Sequence, residues 1–175
     1  LMTPSDENET RLLLTTAFKH KGPAAVRYPR GTGPNTSVNS DLEAVEIGKA
    51  KVVKESESNV VFLNFGALLD KALEVSEKMD FTLIDMRFVK PLDQEILKKY
   101  LSKADYFVSL EDGVIAGGAG SAVQEFCSIE SINIKSILLG IPDRFIEHSS
   151  REEMLESAGL SVAKILDKLK PLLGK

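Results

Sequence analysis

Two arginines in the segment Val26-Arg27-Tyr28-Pro29-Arg30-Gly31 carry the clearest chemical signal in this sequence. A guanidinium is a planar fork of donors that matches a phosphate or a carboxylate. Pro29 fixes the chain direction, and Gly31 and Gly33 let backbone approach a ligand. Residues 24–28 read as a short buried strand ended by Pro29. Arg27 and Arg30 therefore fall at the carboxyl end of a strand, where open α/β sheets place ligands. The competing use of both residues is a pair of structural salt bridges. A second feature is Leu110-Glu111-Asp112-Gly113 followed by Gly117-Gly118-Ala119-Gly120-Ser121, between a strand and a helix N-terminus. That position suits an anion. The glycines do not complete G-x-G-x-x-G, because Val123 stands at the last position, and no Walker lysine follows. A turn that starts a helix close against a sheet is the favoured account of them.

Other reactive side chains are sparse. His20 and His148 are the only histidines, and neither has a second histidine at ligand spacing. There is no H-E-x-x-H and no G-x-S-x-G. Both histidines read as structural or solvent-exposed. Cys127 lies among apolar helical residues and reads as core, and a single cysteine excludes an internal disulfide and a Cys-based zinc cage. These residues alone indicate one anion site and name no reaction.

The elements that must position the arginines follow from periodicity. Residues 5–20 read as a helix, with Asp6 among the capping residues, Glu7 and Glu9 at its positive end, and Gly22-Pro23 stopping it. Residues 31–41 are rich in turn formers and almost free of core material, which marks a linker, placed at 34–41. Strands are expected at 51–54, 59–65, 81–85, 106–110 and 134–139. Helices are expected at 67–79, 93–102, 120–129, 151–157 and 161–172. The alternation gives an α/β class, a mostly parallel sheet with helices on both faces in three layers. The apolar runs 60–63 and 136–139 fit central parallel strands.

The chain has 175 residues, 43% of them hydrophobic and 27% charged, with a net charge of -4. That is enough for one domain with a real core, or one domain plus a piece of another. No basic field exists to collect nucleic-acid phosphates. No apolar run approaches the roughly 20 residues of a bilayer span, and residues 1–10 lack the pattern of a signal peptide. A cytosolic protein without nucleic-acid or membrane partners is the expectation. Leu1 is not an initiator methionine, and one helix and one strand before the linker are too little for a domain, so a piece of a longer chain is expected.

Several segments, in order and over nearly the whole chain, resemble the 1-deoxy-D-xylulose-5-phosphate synthase family. They are Met2-Thr3-Pro4-Ser5-Asp6-Glu7-Asn8-Glu9, Gly22-Pro23-Ala24-Ala25-Val26-Arg27-Tyr28-Pro29-Arg30-Gly31, Leu63-Asn64-Phe65-Gly66, Asp85-Met86-Arg87-Phe88-Val89-Lys90-Pro91-Leu92-Asp93, Gly117–Ser121 and Leu139-Gly140-Ile141-Pro142-Asp143. The wider class is similar to transketolase and to 2-oxo acid dehydrogenase β subunits. The resemblance implies residues 1–33 as the end of a pyrimidine-binding domain, 34–41 as linker, and 42–175 as a transketolase-type C-terminal domain. It implies condensation of pyruvate with D-glyceraldehyde 3-phosphate, with loss of CO2, by an enzyme using thiamine diphosphate and Mg2+. The product feeds isoprenoid precursors, thiamine and pyridoxal phosphate. It further implies that Arg30 holds the substrate phosphate, with Arg27 a weaker candidate. The cofactor, metal and catalytic residues would lie upstream, and Asp112-Gly113, preceded by Glu111, does not match the family's magnesium motif. The implied partners are the remaining domains and a second copy, in a bacterial-type cytoplasm. This piece alone is expected to bind no cofactor and to be inactive. Two alternatives stay open: the equivalent piece of a transketolase or 2-oxo acid dehydrogenase β subunit, and a stand-alone domain that docks on partner subunits.

Overall fold

Residues 1–172 are described by a computed structural model of the chain. The first helix, α1, is Glu7–Lys19, capped by Asp6, whose carboxylate accepts from Glu9 N–H at 2.7 Å. Then follow β1 (Lys51–Lys54), β2 (Val60–Phe65), α2 (Leu69–Met79), β3 (Thr82–Asp85), α3 (Gln94–Leu101), β4 (Tyr106–Val114) and α4 (Ala119–Ile129). The chain continues through β5 (Lys135–Ile141), α5 (Arg151–Ala158), α6 (Val162–Leu169) and a 3-10 turn, Lys170–Leu172. The strands form one sheet in the order β1-β3-β2-β4-β5. All neighbours are parallel except β1 on β3, which is antiparallel.

Period-two alternation along β2 divides the core. Val60 and Phe62 point to a face covered by α2, α5 and α6, where they meet Ala72, Val75, Ile165 and Leu169. Val61, Leu63 and Phe65 point to the other face, with Leu97 and Leu101 of α3 and Val123, Phe126 and Cys127 of α4. Every residue of β2 is buried, as the apolar run requires of a strand covered on both sides. Removing a side chain such as Phe62 from water contributes about 1.5–3 kcal/mol. The edge strand β1 begins and ends with a lysine, which discourages pairing with another sheet. The three-layer α/β/α expectation holds, and no helix among the described residues is long and apolar enough to cross a membrane.

A third, smaller cluster attaches the N-terminal segment. Met2, Leu13 and Phe88 are buried together, with Ala17, Val26 and Val45 against them. Met2 bridges both Val26 and Phe88. Its N–H donates to Ala25 O at 2.9 Å, and its carbonyl accepts from Arg27 N–H at 2.8 Å.

Two expectations need correction. Residues 24–28 are not a buried strand: only the isolated bridge to Met2 forms, and four of the five residues are exposed. The apolar run is real, but its backbone meets one bridging residue rather than a neighbouring strand. Strand β4 runs on to Val114, four residues past the expected end, after a register irregularity beyond Leu110. Its polar extension is buried because Glu111 and Asp112 both find partners within the chain.

Candidate functional site

The carboxyl ends of β2, β3 and β4 meet the N-terminal segment, and a layer of polar side chains fills the junction. Asn64 is the last residue but one of β2, and Asp85 ends β3; both are fully buried. Ser5 Oγ donates to Asp85 Oδ2 at 2.8 Å, and Asn64 Nδ2 donates to Asp85 Oδ1 at 3.3 Å and to Gly66 O at 2.9 Å. Two residues on, Arg87 Nη2 donates to Glu9 Oε1 of α1 at 2.5 Å, with both side chains largely buried. Burial pushes the Asp85 carboxyl up to about 6, against the opposing hydrogen bond from Ser5. None of Ser5, Glu9, Asn64 or Asp85 stands out in the sequence as a polar core. The one signal is position: a carboxylate and an amide at the ends of otherwise apolar strands.

The glycine-rich turn resolves in favour of close packing. The Glu111 carboxylate accepts from Ala119 N–H and Gly120 N–H, both at 3.0 Å. The start of α4 is therefore occupied by the chain's own anion. A Cβ on Gly118 would overlap Glu111, and one on Gly120 would overlap Ser109 Oγ and touch Leu138. Gly120→Ala must displace Ser109, Leu138 or the start of α4, and an expected loss of about 2 kcal/mol follows from overpacking. Denaturant unfolding of the variant checks this; an unchanged midpoint would refute the packing argument.

The two candidate arginines have separate surroundings. Arg27 forks onto Asp112: Nη1 pairs with its carboxylate and Nη2 donates to its carbonyl at 2.9 Å. Arg30 is exposed and has no hydrogen bond or ion pair among the described residues. The loop between them continues to α1, where Glu7 accepts from Asn35 N–H at 2.8 Å and from Thr36 N–H at 3.2 Å. Beside the loop lies a cleft of ≈ 430 Å³, lined in part by Tyr28, Thr32, Lys71 and Arg151. Chemically, this edge presents one uncommitted guanidinium on a fastened loop. His20 and His148 are exposed and neither lines the cleft, and Cys127 is buried in the core with its thiol raised by burial.

Among the described residues no three of His, Cys, Asp and Glu are grouped so as to hold a metal ion. The carboxylates nearest the strand ends are committed to Arg27, Arg87, Ser5 and helix amides.

A doubly covered, mostly parallel sheet closed by a polar junction at its strand ends defines an α/β domain. Residues 48–165 match the family model described as transketolase, C-terminal domain, and the chain belongs to that family. It is 50% identical over 165 residues to a protein named 1-deoxy-D-xylulose-5-phosphate synthase from Stutzerimonas stutzeri (strain A1501), covering 94% of this chain and 26% of that protein. It is 47% identical over 170 residues to one of the same name from Hahella chejuensis (strain KCTC 2396), covering 97% of this chain and 26% of the relative. The chain thus spans about a quarter of the length of the curated relatives it matches. Among solved structures, a split gene transketolase, described as an inactive beta4 tetramer, superposes with a TM-score of 0.85 at 28% identity, over 99% of this chain and 56% of that one. The transketolase of Campylobacter jejuni shares the fold, with a TM-score of 0.68 at 20% identity, over 97% of this chain and 26% of that one.

Proposed function

We propose that the chain is the C-terminal part of a 1-deoxy-D-xylulose-5-phosphate synthase. The whole enzyme joins pyruvate to D-glyceraldehyde 3-phosphate, releases CO2, and forms 1-deoxy-D-xylulose 5-phosphate for isoprenoid precursors, thiamine and pyridoxal phosphate. The observation that carries this reading is 50% identity across 94% of the chain. The 28% identity to the split transketolase is the weaker match and favours the synthase over a transketolase subunit.

In this reading residues 1–33 complete a pyrimidine-binding domain, 34–41 link, and 42–175 form the C-terminal domain, of which 173–175 lie outside the described residues. Thiamine diphosphate and Mg2+ sit on the upstream portion, which supplies the carbanion chemistry. The enzyme works as a homodimer in the cytoplasm. Arg30 takes the phosphate of the aldehyde substrate, because its guanidinium is uncommitted and fork-shaped for that group. Arg27, already engaged by Asp112, holds the loop instead. By itself the chain is inactive, the same state ascribed to the beta4 tetramer of the split transketolase.

Product formation from pyruvate and D-glyceraldehyde 3-phosphate by the intact polypeptide tests the reading. Arg30→Ala is expected to raise KM for the phosphorylated aldehyde about tenfold, the loss of one charge-assisted contact. Turnover by residues 1–175 alone would overturn the assignment of catalysis to the upstream portion.

A further inference from the structure

The loop bearing Arg30 has little core to hold it. Residues 31–44 are all exposed, Tyr28 is 58% exposed, and no helix or strand crosses residues 27–44 apart from the bridge at Val26. Beyond residue 36 it is tied to α1 by Asn8, Arg11 and Lys19, which bond residues 39–42, and the 27–36 part is held by two carboxylates at its ends. At the start, the Arg27 fork closes on Asp112, which is 9% exposed and lies within β4, an inner strand of the sheet. At the far end, Glu7 takes the amides of Asn35 and Thr36 on separate oxygens. Asn35 adopts φ 64, a left-handed conformation that asparagine tolerates. Gly33 lies so close to Glu7 that a Cβ there would overlap the carboxylate. Glu7 is itself fixed, since it opens α1, and α1 is anchored by the Arg87–Glu9 pair. Amide donors, its own first and then those of Asn35 and Thr36, hold the Glu7 carboxyl below its ordinary range.

We propose that Glu7 and Asp112 are positioning residues that clamp the 27–36 loop from both ends and present Arg30 to the substrate phosphate. Neither contacts substrate. They remove the loop freedom that binding would otherwise have to remove. The proposal rests on Arg30 being the phosphate residue of the proposed synthase.

The test uses the intact synthase carrying this sequence, assayed with D-glyceraldehyde 3-phosphate and with unphosphorylated D-glyceraldehyde. Glu7→Gln and Asp112→Asn are each expected to raise KM for the phosphorylated aldehyde about five- to tenfold, with KM for pyruvate unchanged. kcat/KM for unphosphorylated glyceraldehyde stays at the wild-type value. Gly33→Ala, a change in an exposed loop, reproduces the Glu7→Gln effect from the other side of the contact. Combining Glu7→Gln with Arg30→Ala adds nothing to Arg30→Ala alone, since both act through one contact. Equal losses on the two aldehydes would overturn the clamp, because they would mean general damage. So would an Arg30→Ala effect that none of the three other variants shares. If Arg30→Ala itself leaves KM unchanged, the phosphate reading fails, and the clamp with it.

Discussion

Replacing Arg87 by alanine is expected to weaken the docking of α1 by about 3–5 kcal/mol, because it leaves a buried carboxylate without its partner. Arg87 Nη2 and Glu9 Oε1 are 2.5 Å apart, and their side chains are 14% and 6% exposed. Few other polar contacts anchor this helix to the sheet. Glu9 Oε2 already lacks a hydrogen-bond partner among the described residues, so the carboxylate has no second donor to turn to. The small cluster around Met2, Leu13 and Phe88 does not by itself offset a loss of that size. The segment should therefore open as a unit while the five-stranded sheet stays folded. Hydrogen exchange reads this directly: amides of α1 lose protection in Arg87→Ala, while those of β2 and β4 keep theirs. Removing both charges, as Glu9→Gln with Arg87→Met, should recover most of the loss. Unchanged protection in α1 would show that the pair contributes nothing to docking.

The second large effect is a pH dependence centred on Asp85. Its carboxyl rises from an ordinary 3.8 to about 6 in the folded chain, first because of burial, with Glu9 adding repulsion and Ser5, Asn64 and Arg87 opposing. The folded state therefore binds this proton more tightly than the unfolded state. The contribution is favourable and complete below pH 3.8, and it is lost as pH rises through about 6. At about 1.4 kcal/mol per pH unit, the loss across that window is about 3 kcal/mol. Other carboxylates oppose it, since Asp80, Glu152 and Asp167 are all held below their ordinary range by lysine partners. The clean observable is a difference between variants. Asp85→Asn cannot ionise, so its stability relative to wild type should climb by about 3 kcal/mol between pH 3.5 and pH 7. Denaturant titrations at a series of pH values would show it. A difference that stays flat across the window would refute the assignment to Asp85.

Most of the sheet was legible because its strands obey simple patterns. The run Val60-Val61-Phe62-Leu63 has no polar face to expose, so it had to lie in the middle with cover on both sides. Helices α3, α5 and α6 fall close to their expected ranges, and each starts at a side-chain cap, Asp93, Ser150 or Ser161. Periodicity failed where tertiary partners overrode it. Glu111 and Asp112 read as lying past the end of a strand, yet both belong to β4 and are buried, because a helix start and Arg27 satisfy them. Residues 24–28 read as a strand, yet a backbone with one bridging partner makes no ladder. Arg27 and Arg30 were visible as residue types. What separates them, an acid on β4 for one and no partner for the other, is a long-range contact that spacing cannot express. The Asp85 network was missed for the same reason: Ser5 and Asp85 are eighty residues apart.

The strand order also describes how the sheet grows as the chain leaves the ribosome. The innermost strand, β2, is the first of the parallel set to be made, and β3, β4 and β5 then add outward, each beside a strand already present. Only β1 must wait, since its partner β3 follows it. The N-terminal helix waits as well, because Asp85 and Arg87 emerge long after Ser5 and Glu9. Vectorial synthesis would thus build the parallel set outward from its centre, and the helix that precedes it in the chain can dock only once β3 and the residues just after it have been made.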